Sequence, residues 1–235
     1  MFVALYLIFP RATDATVVDA VTVALGGIGA RLPQVTAELL QRPIRAESND
    51  AQLVWRLCFE SEQDYRNCLL EPTWDEARSA LGRGDLRVES VIYQRGRHGI
   101  RSPEIKNGIW RAMVLSVIEG TCRDKREQYE SEMATMPDYI PAIRNWAMSA
   151  VLESSGSRKW AYVWEQDFDD VDSILGEYRM HPFHWGVIDR WYDAEHPEHI
   201  LDGKFLRTLC PSAGSGIDPK RRLSTPRQSG QLVSS

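Results

Sequence analysis

The residues best able to do chemistry are concentrated in Tyr178-Arg179-Met180-His181-Pro182-Phe183-His184-Trp185, where two imidazoles and a phenol fall within seven positions. Histidine is the side chain whose ordinary pKa lies closest to neutrality. Two of them beside a tyrosine can therefore supply a base and a donor without a metal or cofactor. Four of the five histidines lie between His181 and His199. Tyr178 and His184 are six residues apart, and a straight helix would turn them away from each other. Pro182 breaks the helix, because a proline biases its predecessor out of helical conformation, and His184 can then turn back over the same space. There a neutral imidazole would take a proton from an acidic C–H or a phenol, while the Tyr178 hydroxyl donates to the developing enolate or phenolate oxygen.

Other groups take supporting or structural readings. His181, next to the break, is expected to bond the backbone freed there, or to touch substrate. His196 and His199, in Glu195-His196-Pro197-Glu198-His199, read as a solvated loop, since no cysteine or third histidine joins them to hold a metal. Trp146, Trp160, Trp164, Trp185, Trp191 and Tyr162 crowd the same half of the chain. A pocket lined by Trp146, Trp164 and Trp185 would suit an aromatic or polycyclic substrate. Arg111, Arg144 and Arg190 are candidate partners for a carboxylate on it, with Arg111 or Arg144 facing inward.

The elements that must position these groups form a repeat. Phe2 to Pro10 reads as a strand and Asp14 to Ile28 as an amphipathic helix capped by Thr13 or Asp14. A short strand follows over Val35 to Gln41. Leu53 to Glu60 alternates like a half-buried strand, and Ser61 with Asp64 opens a helix that Pro72 interrupts before it resumes through Ala80. Leu86 to Tyr93 closes a β-α-β-β-α-β unit. The second half predicts the same order: strand Ile109–Glu119, helix Asp124–Thr135, a strand through Ala150, strand Trp160–Glu165, helix Asp169–Tyr178 broken at Pro182, and strand Ile200–Leu206. Pro33 and Pro141 are 108 residues apart, and Pro72 and Pro182 are 110. Chance similarity would not keep such a register, so the chain reads as an internal duplication.

The domain reading is residues 1–95 as an N-terminal repeat, 96–107 as a basic, glycine-rich connector, 108–210 as a C-terminal repeat and 211–235 as a disordered tail. In the first repeat Glu71-Pro72-Thr73-Trp74 stands where the second has His181-Pro182-Phe183-His184. The proline is kept and both histidines are absent, so a single site in the C-terminal half is expected. The fold class is α+β: each unit makes a four-stranded antiparallel sheet with helices on one face, the ferredoxin-like plan. The two bare sheet faces cover each other as an intramolecular dimeric barrel.

Composition excludes several classes. A net charge of -5, with 43% hydrophobic and 26% charged residues, is ordinary for a soluble domain and gives no reason for a nucleic-acid partner. Phe2 to Pro10 is about half of what a membrane-spanning helix needs and lacks a basic start, so no membrane partner is expected. Cys58, Cys68, Cys122 and Cys210 show no metal-ligand spacing, which makes the cytoplasm the expected location.

Three features together resemble the stress-responsive α/β-barrel family: Ile140-Pro141-Ala142-Ile143 before the second strand, the aromatic strand Trp160 to Glu165, and His181-Pro182-Phe183-His184. The match covers about residues 109 to 208, with a weaker version over 2 to 93. One branch of the family is similar to olivetolic acid cyclase, which closes a linear polyketide by aldol condensation without a metal or cofactor. The resemblance implies His184 as the reactive histidine and Tyr178 as its assistant, with no cofactor. The resulting expectation is a cofactor-independent acid–base enzyme, a lyase, decarboxylase, cyclase or isomerase. Its substrate would be a phenolic, aromatic or polyketide-like small molecule, with or without a carboxylate, bound by a pseudo-dimeric chain able to form a homodimer. The alternative is a non-catalytic, stress-related protein that binds a hydrophobic ligand.

Overall fold

The run from Phe2 to Phe9 is apolar at every position because both of its faces are covered. In the computed structural model Phe2, Ala4, Tyr6 and Ile8 pack with helix residues such as Val18, Val21 and Trp74, while Val3, Leu5, Leu7 and Phe9 pack against a second sheet. The structure describes residues 1–10, 15–44 and 50–217. The first repeat comprises β1 (Phe2–Pro10), α1 (Ala15–Leu25), α2 (Ile28–Arg31), β2 (Ala37–Gln41), β3 (Leu53–Phe59), α3 (Glu62–Cys68), α4 (Pro72–Leu81) and β4 (Leu86–Gln94). The remainder comprises β5 (Arg97–Ile100), β6 (Gly108–Leu115), α5 (Arg123–Tyr139), β7 (Asn145–Ser155), β8 (Tyr162–Phe168), a broken helical segment from Val171 to Trp191, and β9 (Leu206–Ser212).

Strands run in the order β2-β3-β1-β4 and then β7-β8-β6-β9, so each half is the same antiparallel ferredoxin-like sheet. The halves join where β4 pairs with β7, from Ser90 opposite Ser155 to Tyr93 opposite Val151. At the far side the Ile44 N–H donates to the Leu209 carbonyl at 2.7 Å, linking the end of β2 to β9 and nearly closing a barrel. One apolar layer lies between the sheets, and each sheet has a second layer under its own helices. This is the α+β architecture of two repeats packed sheet to sheet.

Local signals hold where the chemistry is strict. Ser61 Oγ accepts the Asp64 N–H at 3.1 Å and the Asp64 carboxylate accepts the Ser61 N–H at 3.1 Å, the reciprocal cap that starts α3. Pro72 occupies the first turn of α4, where its missing N–H has no intrahelical partner to lose.

Other boundaries move. The last strand begins at Leu206 rather than Ile200, because Ile200 and Leu201 pack beneath the helices and Leu201 makes only an isolated bridge to Val117. The tail expected from residue 211 instead continues β9 to Ser212. Beyond it Ser215 donates to Asp167 at 2.6 Å and Ile217 is fully buried. Residues 218–235, and the expected cap at Thr13 or Asp14, lie outside the described residues. The segment read as a connector contains β5, which pairs with β7 from Arg97 opposite Met148 to Ile100 opposite Asn145. Gly99 is needed there, since a Cβ would fall 2.5 Å from Trp146 Nε1. No helix among the described residues is long and apolar enough to cross a membrane.

Candidate active site

After β8 the Asp170 side chain accepts the Ser173 N–H at 2.7 Å and caps a helical segment. Its first turn, Val171–Ser173, is α-helical, and Ile174–Tyr178 widens to a π-helix. The chain breaks at His181, and a second π turn runs from His184 to Ile188 before a 3₁₀ turn at Asp189–Trp191. Such widened turns re-aim side chains and recur at functional sites. Here the break and the widened turns bring Tyr178 and His184 together, with ring centroids 4.6 Å apart and planes at 70°.

Beneath them lies the helix-facing side of the second sheet. Arg111 on β6 stands opposite Gln166 on β8, which stands opposite Trp146 on β7. Arg111 donates to the Tyr178 hydroxyl oxygen at 3.0 Å, also to Gln166 Oε1 and the Met113 sulfur, and its guanidinium lies 5.0 Å from the Tyr178 ring centroid. Arg111, Tyr178 and Gln166 are 8%, 3% and 0% exposed. No carboxylate among the described residues pairs with Arg111. Its positive charge is therefore held in the interior by neutral acceptors alone, an arrangement that favours an incoming anion. Because the Tyr178 oxygen accepts from Arg111, its own O–H remains free to donate.

His184 is the other incompletely used group. Its side chain is 18% exposed, and Nδ1 is buried without a hydrogen-bond partner, 3.5 Å from Asp189 Oδ1. Burial, together with the Arg111 and Arg179 charges and His181, pushes the imidazole down to about 4, so it is neutral at pH 7. Burial also raises the Asp189 carboxyl above its usual range. Gln166 Nε2 is a second buried donor with nothing to bond.

The remaining sequence candidates divide. Trp146 borders the site in register with Gln166 and packs on Trp164, ring centroids 5.7 Å apart, whereas Trp164 itself is core. His181 Nδ1 accepts the Phe183 N–H at 3.2 Å, the structural use expected at a helix break. Two expectations are corrected. Arg144 turns outward onto Asp169, with Nε–Oδ2 and Nη2–Oδ2 distances of 2.9 and 2.5 Å, because it precedes β7 and lies outside its pleat alternation. Trp185 is 60% exposed on the outer side of the π turn and lines nothing. Arg190 pairs with Glu132 and Glu198. His196 accepts the Glu198 N–H, and His199 bonds the Leu201 carbonyl. Among the described residues no group of three or more His, Cys, Asp or Glu side chains is arranged to hold a metal. Two surface clefts, about 390 and 620 Å³, are lined by residues around Ser154–Trp160 and Ser116–Glu119; His199 borders the second, and neither includes Arg111, Gln166, Tyr178 or His184.

Gln166 lies one residue beyond the strand end expected at Glu165, whereas β8 continues to Phe168. Alternation from Trp164, two positions earlier on the same face, would have found it. The register also shows what the first repeat has at each position. Tyr6 pairs with Trp55 as Met113 pairs with Trp164, so Ala4 and Leu57 occupy the places of Arg111 and Gln166. Counting from the shared proline, Cys68 and Trp74 replace Tyr178 and His184, and Trp74 stacks on Trp55 at 5.8 Å. The fold does not require the polar set, since its other copy is built with apolar residues.

Residues 109–202 match the family model described as the stress responsive A/B barrel domain. Among solved structures, an anthrone oxidase-like protein aligns over 89% of this chain and 90% of its own, at 8% identity with a TM-score of 0.63. A candidate monooxygenase from Fusobacterium nucleatum aligns over 91% and 95%, at 10% identity and 0.57. Another, from Lactobacillus acidophilus, aligns over 89% and 93%, at 8% and 0.51. At these identities the likeness is one of fold. The sequence matches no curated protein.

Proposed function

We propose, from the match of residues 109–202 to the family model described as the stress responsive A/B barrel domain, that the chain is an acid–base enzyme acting on a small aromatic, phenolic or polyketide-like carboxylate. The observation that carries this reading is a neutral, unpartnered imidazole packed edge-on against a phenol that accepts from a buried guanidinium without a carboxylate partner. His184 is the general base and Tyr178 the oxyanion donor. Arg111 and Gln166 Nε2 bind the substrate's anionic group beside Trp146.

In the reaction His184 removes a proton from carbon next to a carbonyl. The electron pair moves onto the carbonyl oxygen, which accepts the Tyr178 O–H, and the enolate then attacks an electrophilic carbon or expels a leaving group. The protonated imidazole returns the proton to the product oxygen or leaving group. Contacts of this kind are often long before substrate arrives, so Asp189 would close on Nδ1–H and leave Nε2 as the base. A carboxylate on Arg111 also removes one cause of the depressed imidazole pKa and raises its basicity when substrate is bound.

A panel of phenols and linear polyketone acids, followed by absorbance and mass, tests the reading. The wild type should convert at least one member, and His184→Ala should lower turnover by about 100-fold or more while still binding it. A folded His184→Ala protein with full activity would sink the assignment. The low basicity of the free imidazole supports a second reading, a stress-related binder of hydrophobic compounds. On that reading both proteins bind equally and no product forms.

A further inference from the structure

A second cluster of charged side chains lies on the opposite face of β8, between the two sheets. Arg56 projects inward from β3, flanked by Leu5 on β1 and Leu39 on β2, and Glu165 projects toward it, flanked by Ala112 and Ala147. The two are 2% and 0% exposed and meet at 3.1 Å through Arg56 Nη2 and Glu165 Oε1. The Trp110 indole N–H donates to the same Oε1 at 3.3 Å, and the Arg56 guanidinium lies 5.2 Å from a Trp110 ring centroid. Tyr93, fully buried, faces the same space from β4. Just past it, Arg95 is anchored by its backbone N–H on the Met1 carbonyl at 3.0 Å and turns its guanidinium inward.

Most of this polar capacity is unused. Nε, Nη1 and Nη2 of Arg95 are all buried without a partner, as are Arg56 Nε and Glu165 Oε2. Burial holds Arg95 below its ordinary pKa, with Glu165 opposing that effect and Arg56 adding to it, which places all three in one electrostatic cluster. Two guanidinium groups against one carboxylate leave a surplus positive charge in the interior. A buried cation without an anion or hydrogen bonds is costly, so the site calls for an occupant. The occupant must offer several acceptors to Arg95 and Arg56 Nε, and one donor to Glu165 Oε2. Arg95 as a whole is only half-buried, so the cluster adjoins the surface near the start of β1.

We propose that the inter-sheet space binds a small oxyanion that also carries a hydroxyl, such as an α-hydroxy acid or hydrogen phosphate, with the oxyanion on Arg95 and Arg56 and the hydroxyl on Glu165. The site is separate from His184 and Tyr178, which lie on the helix side of the sheet, and it does not depend on their role.

Thermal unfolding of the full chain in glycolate, inorganic phosphate, acetate and chloride, matched in ionic strength, tests the proposal. Glycolate and phosphate should raise Tm over chloride by about 5–10 °C once they reach a hundred times their dissociation constants. Acetate, lacking the hydroxyl, should act at least tenfold more weakly. Arg95→Gln, which removes an unpaired buried cation, should fold and lose the anion-specific rise. It also subtracts the general stabilisation that phosphate gives any protein. Tyr93→Phe, which keeps the packing but removes a buried hydroxyl that faces the same space without a hydrogen-bond partner, should weaken the response and decides the matter if Arg95→Gln does not fold. Several results would overturn the proposal: no rise above chloride in the wild type, an equal rise in Arg95→Gln, an unchanged response in Tyr93→Phe, or equal potency of acetate and glycolate.

Discussion

His184 ties stability to pH. In an unfolded chain its imidazole titrates near the ordinary 6.5, whereas in the fold it is pushed down to about 4. Between those values the unfolded state binds more protons. The stability associated with the neutral ring is therefore complete above pH 6.5 and is lost as pH falls toward 4, by about 2–3 kcal/mol. His184→Gln should flatten the pH dependence of unfolding across that window, seen as urea midpoints at pH 7 and pH 4.5 that converge relative to wild type. An unchanged slope would mean that the ring is not held neutral by its surroundings. Tyr178→Phe removes both the free donor and the acceptor that Arg111 uses. Turnover should fall by about 100-fold, and stability by about 1–3 kcal/mol, since a buried guanidinium N–H is left without a partner. Retained turnover in the folded variant would dismiss the phenol as oxyanion donor.

At the scale of elements, β5 and the broken helix matter most. Gly99→Val should displace Trp146, whose indole occupies the space of the new side chain. Binding of an aromatic carboxylate should weaken more than overall stability does, as read by ligand titration beside thermal melting. Equal losses in the two would place Trp146 outside the site. Signals confined to a few residues could be read from sequence: the Ser61 cap, the proline that starts α4, and the Pro182 break that brings His184 back over Tyr178. Signals that depend on distant pairing could not. β5 is short and polar and becomes a strand only because β7 offers an edge. Ser215 and Ile217 are held by Asp167 and the inter-sheet core, which composition alone does not reveal. The sequence leaves open whether Arg111 or Arg144 faces inward; Arg111 lies within β6, where the pleat fixes its face, and Arg144 lies one residue before β7 begins.

For the whole molecule, the two repeats share a fold and differ in the residues that they carry at matched positions. Both repeats supply apolar sheet faces to one shared layer, while only the second carries polar groups at the Arg111, Gln166, Tyr178 and His184 positions. A fragment of residues 1–107 would leave Val3, Leu5, Leu7, Val54, Val91 and Tyr93 without the opposing sheet that covers them. It should aggregate or pair with itself in size-exclusion chromatography. A soluble folded monomer would show that the inter-sheet layer is not what stabilises the first repeat. Glu165→Leu, which leaves Arg56 buried without its carboxylate, should cost about 3–5 kcal/mol. Adding Arg56→Met should recover much of that loss.

The proton abstraction proposed for the second-repeat site can be tested without knowing the natural substrate. The acetyl protons of the three acetylbenzoate isomers exchange slowly with D2O, and each compound carries a carboxylate for Arg111 and a carbonyl for Tyr178. Proton NMR should show exchange of at least one isomer accelerated by the wild-type protein and slowed by about 100-fold or more in His184→Ala. Exchange equally fast with the folded variant, or no acceleration of any isomer that demonstrably binds, would contradict the assignment of His184 as the base.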